Sequence, residues 1–509
     1  MKRCLCQRTF CRWERPGVAL LLCLGFALRL TLLGAVPRGL NQDEASAGYE
    51  ALALLRSGMD RNGSAWPLLF ISWGSGQNVL MSYLVIPFFA LLGPTELALR
   101  LPNALCGCLT LVVFWRLARR ARGPAFGAAA LFVLCVNPWH IMMSRWALES
   151  NLLPFFLLLG IDLTALSEEH PWALPGAAAA FGLSLYAYGT AFFFLPLFLP
   201  GALLWLRRSL RPAPFLTALA LFALLAAPIG LCQLRNMQGR EAMQILGFTL
   251  PRLTEGRQAA TSVFGGASPG ENLRRFYRIL LTQQDGLSWN ALPLLRGGIF
   301  YVFGLPAAVW GFFDSLLFRK DHRREGLLRW ALGCGFVCAA LITVNINRIN
   351  LIWLPLLYFS ALGLYLALRR LRRWAALPVA VVLACCVLFC GSYHAQFGGK
   401  GNVNFFPGLG QAIRAAAALD AGTVYVTDWV NQPYIFALLY TETPPETFAA
   451  SVAYRDADAA FRQVERFSGF AFDSPADCAA LVLHRSEAEG YRILGSYGDF
   501  VVCAREPLA

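Results

Sequence analysis

Long apolar runs alternate with short polar stretches along most of the chain. The runs lie at 17–36, 95–115, 124–138, 151–166, 172–188, 190–206, 213–231, 298–317, 326–343, 350–367 and 374–391. Several are shorter than the ~20 residues that cross a bilayer upright. The pattern predicts an α-helical polytopic membrane protein with about eleven transmembrane helices.

Basic residues between the runs predict the orientation. Five short segments are rich in Lys and Arg: 1–16, 116–122, 206–212, 318–329 and 368–374. They hold 21 of the 44 Lys and Arg residues, and all fall on the cytoplasmic side if the N-terminus is cytoplasmic. The run 78–92 contains Pro87, and counting it as a span would place segment 116–122 outside. We therefore expect it to lie along the outer face as an interfacial helix.

The longer polar segments lie on the outer side in this topology. The first outer loop spans 37–94, and a large outer loop spans 232–297. The cytoplasmic loops are short and basic, which leaves no room for chemistry on that side. The sequence therefore predicts that any active site lies outside the cytoplasm.

The character of the sequence changes at about residue 393. Stretches such as 423–429 are typical of strands, and others such as 408–419 are typical of helices. This pattern predicts a small extracytoplasmic α/β domain at 393–509, following a membrane domain at 1–392. Because it contains no glycine-rich phosphate loop, we interpret it as a structural cap or an acceptor-docking module.

Composition indicates a membrane protein and argues against nucleic-acid binding. The 509 residues are 57% hydrophobic and 15% charged, and the mean hydropathy is positive. The net charge of +14 comes from basic clusters between apolar runs. Most of the 15 cysteines are predicted to be small core residues, although Cys478 and Cys503 are candidates for a disulfide.

The stretch GLNQDEASAGYEA, residues 39–51, places two adjacent carboxylates just after the first apolar run. The sequence from Asp43 predicts a short amphipathic helix on the membrane surface that ends at Gly58. Asp43 and Glu44 would complement the dipole of that helix, which typically contributes ~0.3–1 kcal/mol. Desolvation and mutual repulsion could instead raise a carboxyl pKa, so a structural and a chemical interpretation stay open.

Arg29, Arg100, Asp162 and Asp314 are four of the ionisable residues inside the apolar runs. We expect their side chains to snorkel to the interface. A transporter would be expected to show polar segments at the membrane midplane and two related halves. The sequence shows no such internal repeat.

Five stretches of the sequence support a family resemblance: NQDEASAGYEALALLRSGMDRNGSAWPLLF, ALRLPNALCG, NPWHIMMSRWALESN, DGLSWNALP and NRINLIWLPLLYFSALGL. They resemble the bacterial glycosyltransferase family 39 proteins, relatives of protein O-mannosyltransferases and of the lipid A aminoarabinose transferase. The resemblance extends from about residue 15 to 370 and leaves the segment beyond 393 outside it. It implies a GT-C fold.

The resemblance also implies an activity. A hexosyl or pentosyl group would move from a polyprenyl-phosphate carrier to an acceptor on the outer face, with inversion at the anomeric carbon. Asp43 matches the catalytic base of that family, and Glu44 matches its partner. The chemistry agrees, because an attacking hydroxyl needs a carboxylate within hydrogen-bond reach, whereas the phosphate leaves without an acid. No metal or other cofactor is expected.

Arginines at the outer surface are candidates for binding the carrier phosphate. Arg145 is the first choice, Arg348 the second, and Arg235 follows. The alternative is that each bonds to lipid headgroups. Glu149 follows Arg145 by four residues, which predicts an intrahelical ion pair, a second acidic site residue or a metal ligand.

Polar residues of the outer loops are further candidates. Tyr49, Asp60 and Gln77 could line the sugar or carrier site, although loop polarity alone also explains them. Asp285 and Trp289 belong to a segment that could form a lid over the acceptor site.

These observations together predict an integral-membrane glycosyltransferase of the bacterial plasma membrane. Its expected partners are a polyprenyl-phosphate-linked sugar, an unidentified acceptor and membrane lipids, and not nucleic acid. The alternatives are a non-catalytic protein of GT-C shape and a lipid-carrier transporter.

Overall fold

The computed structural model describes residues 2–73, 75–253, 267–285, 292–317, 323–399, 404–419, 422–457 and 462–507. The fold is mostly helical. The helices are α1 (Lys2–Leu30), α2 (Gln42–Ser57), α3 (Leu80–Leu92), α4 (Glu96–Arg122), α5 (Pro124–Cys135), α6 (Pro138–Ser144), α7 (Leu153–Leu166), α8 (Ala173–Ala187), α9 (Ala191–Leu206), α10 (Pro212–Met237), α11 (Pro269–Thr282), α12 (Gly304–Leu317), α13 (Arg323–Leu341), α14 (Trp353–Leu371), α15 (Ala376–Gly398), α16 (Leu409–Ala417), α17 (Pro433–Tyr440) and α18 (Pro445–Ser451).

Every apolar run of the sequence contains a helix. Within the described ranges, five segments are long and apolar enough to cross a membrane by themselves: Glu96–Arg122, Glu149–Leu166, Pro212–Met237, Asn350–Trp374 and Ala376–Gly398. Helices α5 and α6, which meet at a bend of 63°, would form a sixth span if they are counted together. The chain is therefore a membrane protein, while its eleven crossings and its orientation stay predictions.

The chain folds into two compact units. The first unit comprises Met1–Thr31, Asn103–Pro228 and Thr261–Ser392, and the second comprises Leu32–Pro102, Ile229–Ala260 and Tyr393–Ala509. The second unit thus joins the C-terminal segment to the first outer loop and to part of the large outer loop. A division of the sequence at residue 392 alone does not describe this arrangement.

Two helices of the first unit approach each other backbone to backbone. A Cβ atom added at Gly311 of α12 would lie 2.0 Å from the carbonyl oxygen of Phe359 in α14. One added at Gly363 of α14 would lie 2.0 Å from the carbonyl oxygen of Ala307 in α12. Glycine permits such close helix packing because it has no side chain.

Charged residues within the apolar helices are buried, so the predicted snorkelling is wrong for three of the four. Arg29, Arg100 and Asp162 are 0% exposed. In the first unit, Asp162 accepts hydrogen bonds from Arg116 Nε at 2.7 Å and from Arg120 Nη1 at 3.1 Å. Burial of a charge is tolerated where protein partners replace water, and these partners are distant in sequence.

The β-structure of the described residues lies in the second unit. Its strands are β1 (Leu69–Ser72), β2 (Ser75–Asn78), β3 (Met243–Ile245), β4 (Phe248–Leu250), β5 (Val424–Val426), β6 (Ala453–Tyr454), β7 (Val464–Phe467), β8 (Phe470–Ala471), β9 (Ala480–His484), β10 (Tyr491–Tyr497) and β11 (Phe500–Pro507). One sheet has the order β10-β11-β9-β5-β8-β7-β6, in which β5 runs parallel to β8 and β9 and the other neighbours are antiparallel. The predicted α/β character of the C-terminal segment is confirmed, and its extracytoplasmic location stays a prediction.

The predicted disulfide of this segment is wrong. Cys478 and Cys503 are both free and buried. They pack in one apolar cluster with Leu481 and Val501. Both cysteines therefore act as small core residues.

Candidate functional site

Helix α2 begins and ends where the sequence predicts. Asn41 is its N-cap and accepts a hydrogen bond from the Glu44 N–H at 2.8 Å, while the Glu44 carboxylate accepts one from the Asn41 N–H at 3.4 Å. This reciprocal arrangement is a capping box. Gly58 follows the last turn in a left-handed conformation, with φ of 71°. Asp43 and Glu44 consequently occupy the first turn of the helix.

The predicted amphipathic character of α2 is wrong, because the helix is buried on every face over its central part. All residues from Glu44 to Leu54 are buried. A Cβ atom at Gly48 would lie 3.4 Å from a Leu99 methyl group and 3.5 Å from a Leu439 methyl group. The many Ala, Gly and Ser positions of α2 allow other segments of the second unit to pack this closely around it.

A buried arginine binds the Glu44 carboxylate. Arg100 Nε lies 2.8 Å from Glu44 Oε1, and Arg100 Nη2 lies 2.9 Å from Oε2, with both side chains 0% exposed. Such a bidentate pair is strong and geometrically specific. Arg100 also donates to the carbonyl oxygens of Pro37 at 2.7 Å and Gly39 at 2.6 Å. The pair therefore fixes the first turn of α2 to the chain that enters it.

Asp43 has different surroundings from its neighbour. Its side chain is partly exposed, whereas Gln42 and Glu44 on either side are buried. Successive positions on an α-helix are turned by about 100°, so the two carboxylates point in different directions. Asp43 is accordingly the member of the pair that a ligand can reach.

Tyr49 and Gln77 are buried in hydrogen bonds of the second unit. Gln77 Oε1 accepts from Ser72 Oγ at 2.6 Å and from Ser46 Oγ at 3.1 Å. Tyr49 donates to the Thr443 carbonyl oxygen at 2.8 Å. The structure thus assigns both side chains a stabilising role, and their contact with a sugar or carrier stays a prediction.

Asp60 organises a turn of the first outer loop. Its Oδ1 accepts from the N–H groups of Asn62 at 2.9 Å and Ser64 at 2.8 Å. Its Oδ2 is buried and has no hydrogen-bond partner among the described residues. Burial, reinforced by the Glu50 carboxylate, raises the pKa of Asp60 to about 7. Its contact with a ligand also stays a prediction.

A second buried ion pair, which the sequence analysis missed, joins Glu50 and Arg61. Their side chains are 0% and 2% exposed. Arg61 also donates to the Tyr434 hydroxyl at 3.1 Å and lies 5.4 Å above the Trp73 ring. The available signal is a glutamate within an otherwise apolar helical stretch, because such a residue requires a partner.

Arg145 is buried in the first unit at the C-terminus of α6. The residue is 2% exposed. Its Nη1 donates hydrogen bonds to the carbonyl oxygens of Leu28, Arg29 and Thr31 at 3.3, 3.2 and 2.7 Å. Its guanidinium thus binds the carbonyl groups at the end of α1. Binding of a carrier phosphate or of lipid headgroups by Arg145 stays a prediction.

Arg29 brings a second guanidinium to the same end of α1. It is fully buried, and it donates to the Gly25 carbonyl oxygen at 2.8 Å and to the Cys135 carbonyl oxygen at 3.2 Å. Its Nη2 lies 2.6 Å from His140 Nδ1. Arg29 and Arg145 thus place two cations inside the first unit. The sequence contained a signal for this buried cation, because Arg29 is a charged residue inside an apolar run.

The predicted intrahelical pair of Arg145 and Glu149 is wrong. Helix α6 ends at Ser144, and Glu149 opens a separate 3₁₀ turn, Glu149–Leu152. The chain between them is extended at Leu148, where φ is −94° and ψ is 135°. The two side chains therefore do not share one helix, although the spacing of four residues favours it.

Arg348 and Arg235 lie at ends of helices. Arg348 is half-buried in the turn after α13, where its N–H donates to Asn345 Oδ1 at 2.7 Å and its Nη1 donates to the Thr343 carbonyl oxygen at 3.3 Å. Arg235, in the last turn of α10, donates to the Glu241 carbonyl oxygen at 2.8 Å. Phosphate binding by either arginine stays a prediction.

Only part of the predicted lid segment lies within the described residues. Asp285 Oδ2 accepts a hydrogen bond from the Ile346 N–H at 2.6 Å, within the first unit. Trp289 lies outside the described residues. The lid therefore stays a prediction.

Metal binding gains no support from the part of the chain that the structure describes. There, no three His, Cys, Asp or Glu side chains cluster in a way that could hold a metal ion. Independence from metals stays a prediction.

Each unit contains a cavity of about 240 Å³. The cavity of the first unit is lined by Leu21, Ala129, Phe132, Val133, Ala361, Leu364, Tyr365, Leu368, Pro378, Val379 and Val382. The cavity of the second unit has the polar residues Arg38, Glu96, Gln411, Arg414 and Tyr440 in its wall. The first suits a hydrocarbon chain, and the second suits a polar ligand.

Comparison with known proteins identifies relatives. Residues 77–231 match the family described as dolichyl-phosphate-mannose-protein mannosyltransferase. A sequence comparison with curated proteins gives no match.

Two solved structures share the fold over nearly the whole chain. The crystal structure of ArnT from Cupriavidus metallidurans bound to undecaprenyl phosphate matches with a TM-score of 0.60 and 15% identity, covering 97% of this chain and 98% of that one. Its apo state matches with a TM-score of 0.57, at the same identity and coverage. The predicted resemblance is confirmed. Because 97% of the chain is covered, the likeness of fold also extends into the C-terminal segment, which the sequence analysis left outside it.

Proposed function

Because the chain is a relative of the GT-C glycosyltransferases, we propose that it is an inverting glycosyltransferase embedded in the plasma membrane of a bacterium. It moves a sugar from a polyprenyl-phosphate carrier to an acceptor hydroxyl on the extracytoplasmic face. The shared fold and the family match at 77–231 support this class of enzyme. One observation supports the choice of catalytic base: of the acidic pair, Asp43 is accessible and Glu44 is enclosed.

Asp43 acts as the general base in this proposal. It accepts the proton of the acceptor hydroxyl while the hydroxyl oxygen forms a bond to the anomeric carbon of the donor sugar. The bond between that carbon and the phosphate oxygen breaks, and its electron pair leaves with the carrier phosphate. Attack opposite the leaving group inverts the anomeric configuration. The phosphate is stable as an anion, so its departure needs no acid.

Glu44 serves as a positioning residue. Its bidentate pair with Arg100 and its capping box with Asn41 both hold the first turn of α2. The backbone that presents Asp43 is therefore fixed from two sides. A base must be held close to its productive geometry to be effective.

The first unit offers suitable groups for the lipid carrier. Its apolar cavity can accept isoprenoid units, since the walls are almost entirely hydrocarbon. Arg29 and Arg145 supply buried positive charge, and guanidinium groups bind phosphate oxygens well. Arg145 is our first candidate for the phosphate and Arg348 the second. The related ArnT has been solved with undecaprenyl phosphate, which supports a carrier of this class.

The proposal is tested by replacing Asp43 in cells that lack the native protein. Asp43→Asn keeps the size of the side chain and removes its basicity, so transfer should fall by ~100-fold or more. The measurement is mass spectrometry of the outer-surface glycans, which should lose one sugar. Purified Asp43→Asn protein should still fold and bind polyprenyl phosphate.

Glu271→Gln is the matched control, because Glu271 also lies in the first turn of a helix, α11, but is exposed. If Asp43 only complements a helix dipole, the two substitutions should have similar, small effects. A glycan profile of Asp43→Asn identical to that of the wild type would refute the assignment of the base.

A further inference from the structure

The wall of the polar cavity in the second unit contains none of the residues assigned above to the transfer step. Its wall combines residues from three separate stretches: 34–39 before α2, Glu96 at the start of α4, and 406–440 of the C-terminal segment. The C-terminal segment therefore does more than cover other elements, because it contributes polar and aromatic side chains to the wall of this cavity. Arg38, Gln411 and Arg414 are exposed, so a dissolved ligand can reach them.

The charges in the wall favour one kind of ligand. Arg38 and Arg414 contribute two positive charges, and Glu96 contributes a carboxyl group. Tyr440 Oη lies 3.5 Å from Glu96 Oε1, and the Arg414 guanidinium lies 5.1 Å from the Tyr440 ring centre. The two guanidinium groups complement an anionic ligand, while Glu96 and Gln411 offer acceptors for hydroxyl groups.

Glycines shape the cavity. Gly39 and Gly408 have φ of 82° and 90°, which other residues adopt only with strain. A Cβ atom at Gly410 would lie 2.3 Å from the Tyr440 ring. Backbone groups and an aromatic ring therefore come close together in the wall, a surface that suits the flat face and hydroxyl rim of a sugar. The volume, about 240 Å³, is below the ~300–1,000 Å³ typical of pockets for drug-sized ligands.

We propose that this cavity binds one anionic sugar unit, either a sugar acid or a sugar in phosphodiester linkage. Arg38 and Arg414 bind the anionic group, and Glu96 and Gln411 bind hydroxyl groups. Its identification as an acceptor subsite rests on the proposed transferase function, but binding itself does not.

The cavity also adjoins the residues that hold the first turn of α2, where the proposed base Asp43 lies. Gly39 lines it, and the Gly39 carbonyl oxygen accepts the 2.6 Å hydrogen bond from Arg100, which in turn binds Glu44. An acceptor sugar in the cavity would therefore contact the segment that leads into α2.

The test is calorimetric titration of the full chain in nanodiscs with four probes: glucuronate, glucose 1-(methyl phosphate), glucose and inorganic phosphate. At least one of the first two should bind, and which one does distinguishes a sugar acid from a phosphodiester. Glucose and inorganic phosphate should bind about 10-fold more weakly or worse, since each lacks half of the recognised groups. Equal binding of glucose, or of phosphate, would overturn the proposal.

Substitutions in the cavity wall test whether the anionic sugar binds there. Arg414→Gln and Arg38→Gln should each weaken binding of the anionic sugar by about 10-fold, and Gln411→Glu should weaken it by repulsion without removing a contact of the fold. Arg492→Gln, at an exposed position of β10, is the control and should bind as the wild type does. Asp43→Asn should keep full binding, which separates this proposal from the catalytic one. Wild-type affinity in both Arg414→Gln and Gln411→Glu would contradict the assignment.

Discussion

Asp43 and Glu44 are adjacent in the chain, but their side chains have different physical tasks. The Glu44 carboxylate has exchanged water for Arg100 and a backbone N–H. Asp43 keeps partial contact with the surroundings. Both oxygens of the Glu44 carboxylate are bonded to Arg100, so the pair divides into a support and a reactive group.

Removal of Arg100 should destabilise the protein strongly. Arg100→Met leaves the Glu44 carboxylate buried without its counter-charge, which typically costs ~3–5 kcal/mol. The double variant with Glu44→Gln should recover part of this loss, because the two residues interact directly. The free energy of unfolding of the detergent-solubilised protein is the quantity to measure.

The exposed pair of Glu271 and Arg275 provides the comparison, with both side chains 48% exposed. Breaking it should cost ~0.3–0.5 kcal/mol. An equal cost at the two sites would mean that the Arg100 pair does not support α2.

Asp60 should make stability depend on pH. Its pKa is raised to about 7 in the folded chain, against ~3.9 in an unfolded one. The folded state therefore binds more protons between these values, so the contribution of Asp60 is fully present below about pH 4 and is lost as the pH rises through about 7. Asp60→Asn mimics the protonated group and should gain stability relative to the wild type over that range.

The free energy of unfolding of the wild type and of Asp60→Asn, measured at several pH values, tests this pH dependence. The difference between them should grow from about pH 4 to pH 7 and then level off. Gln244→Ala, at an exposed position whose side chain does not titrate, should show no such trend. A constant difference for Asp60→Asn would show that Asp60 is ionised in the folded protein throughout.

At the level of elements, the ends of helices could be read from the sequence, but their buried faces could not. The cap of α2 depends on Asn41, Glu44 and Gly58, which are local signals. Its burial depends on residues such as Leu99 and Leu439, which lie far away along the chain. Likewise, the spacing of Arg145 and Glu149 favours one helix, yet the chain is extended between them.

The contact between α12 and α14 should not tolerate a larger residue. Gly311→Ala forces a methyl group against the Phe359 carbonyl oxygen, and overpacking of this kind typically costs ~1–3 kcal/mol. Gly333→Ala in α13 is the control, since none of the residues that the structure describes outside its own helix lies within 4 Å of its Cβ position. That substitution should be neutral or stabilise the helix by up to ~1 kcal/mol. Thermal unfolding of both variants compares them, and equal melting temperatures would contradict the close packing.

For the whole molecule, the apolar runs and the α/β character of the C-terminal segment were predictable, because both depend on local periodicity. Which segments of the chain make up the second unit could not be predicted from the sequence. This unit joins 32–102 with 393–509 through contacts such as the hydrogen bond from the Tyr49 hydroxyl to the Thr443 carbonyl oxygen, two residues that are 394 positions apart. The polar cavity depends on the same long-range association.

The central claim is that the chain forms a covalent product from a lipid-linked sugar, and sealed proteoliposomes test it most directly. Polyprenyl-phosphate sugar labelled in the sugar is added with envelope glycans from cells that lack this protein. The account predicts that the label becomes covalently attached to a glycan while polyprenyl phosphate is released, and that Asp43→Asn abolishes both. Label that crosses the bilayer without becoming attached to any glycan would contradict the account.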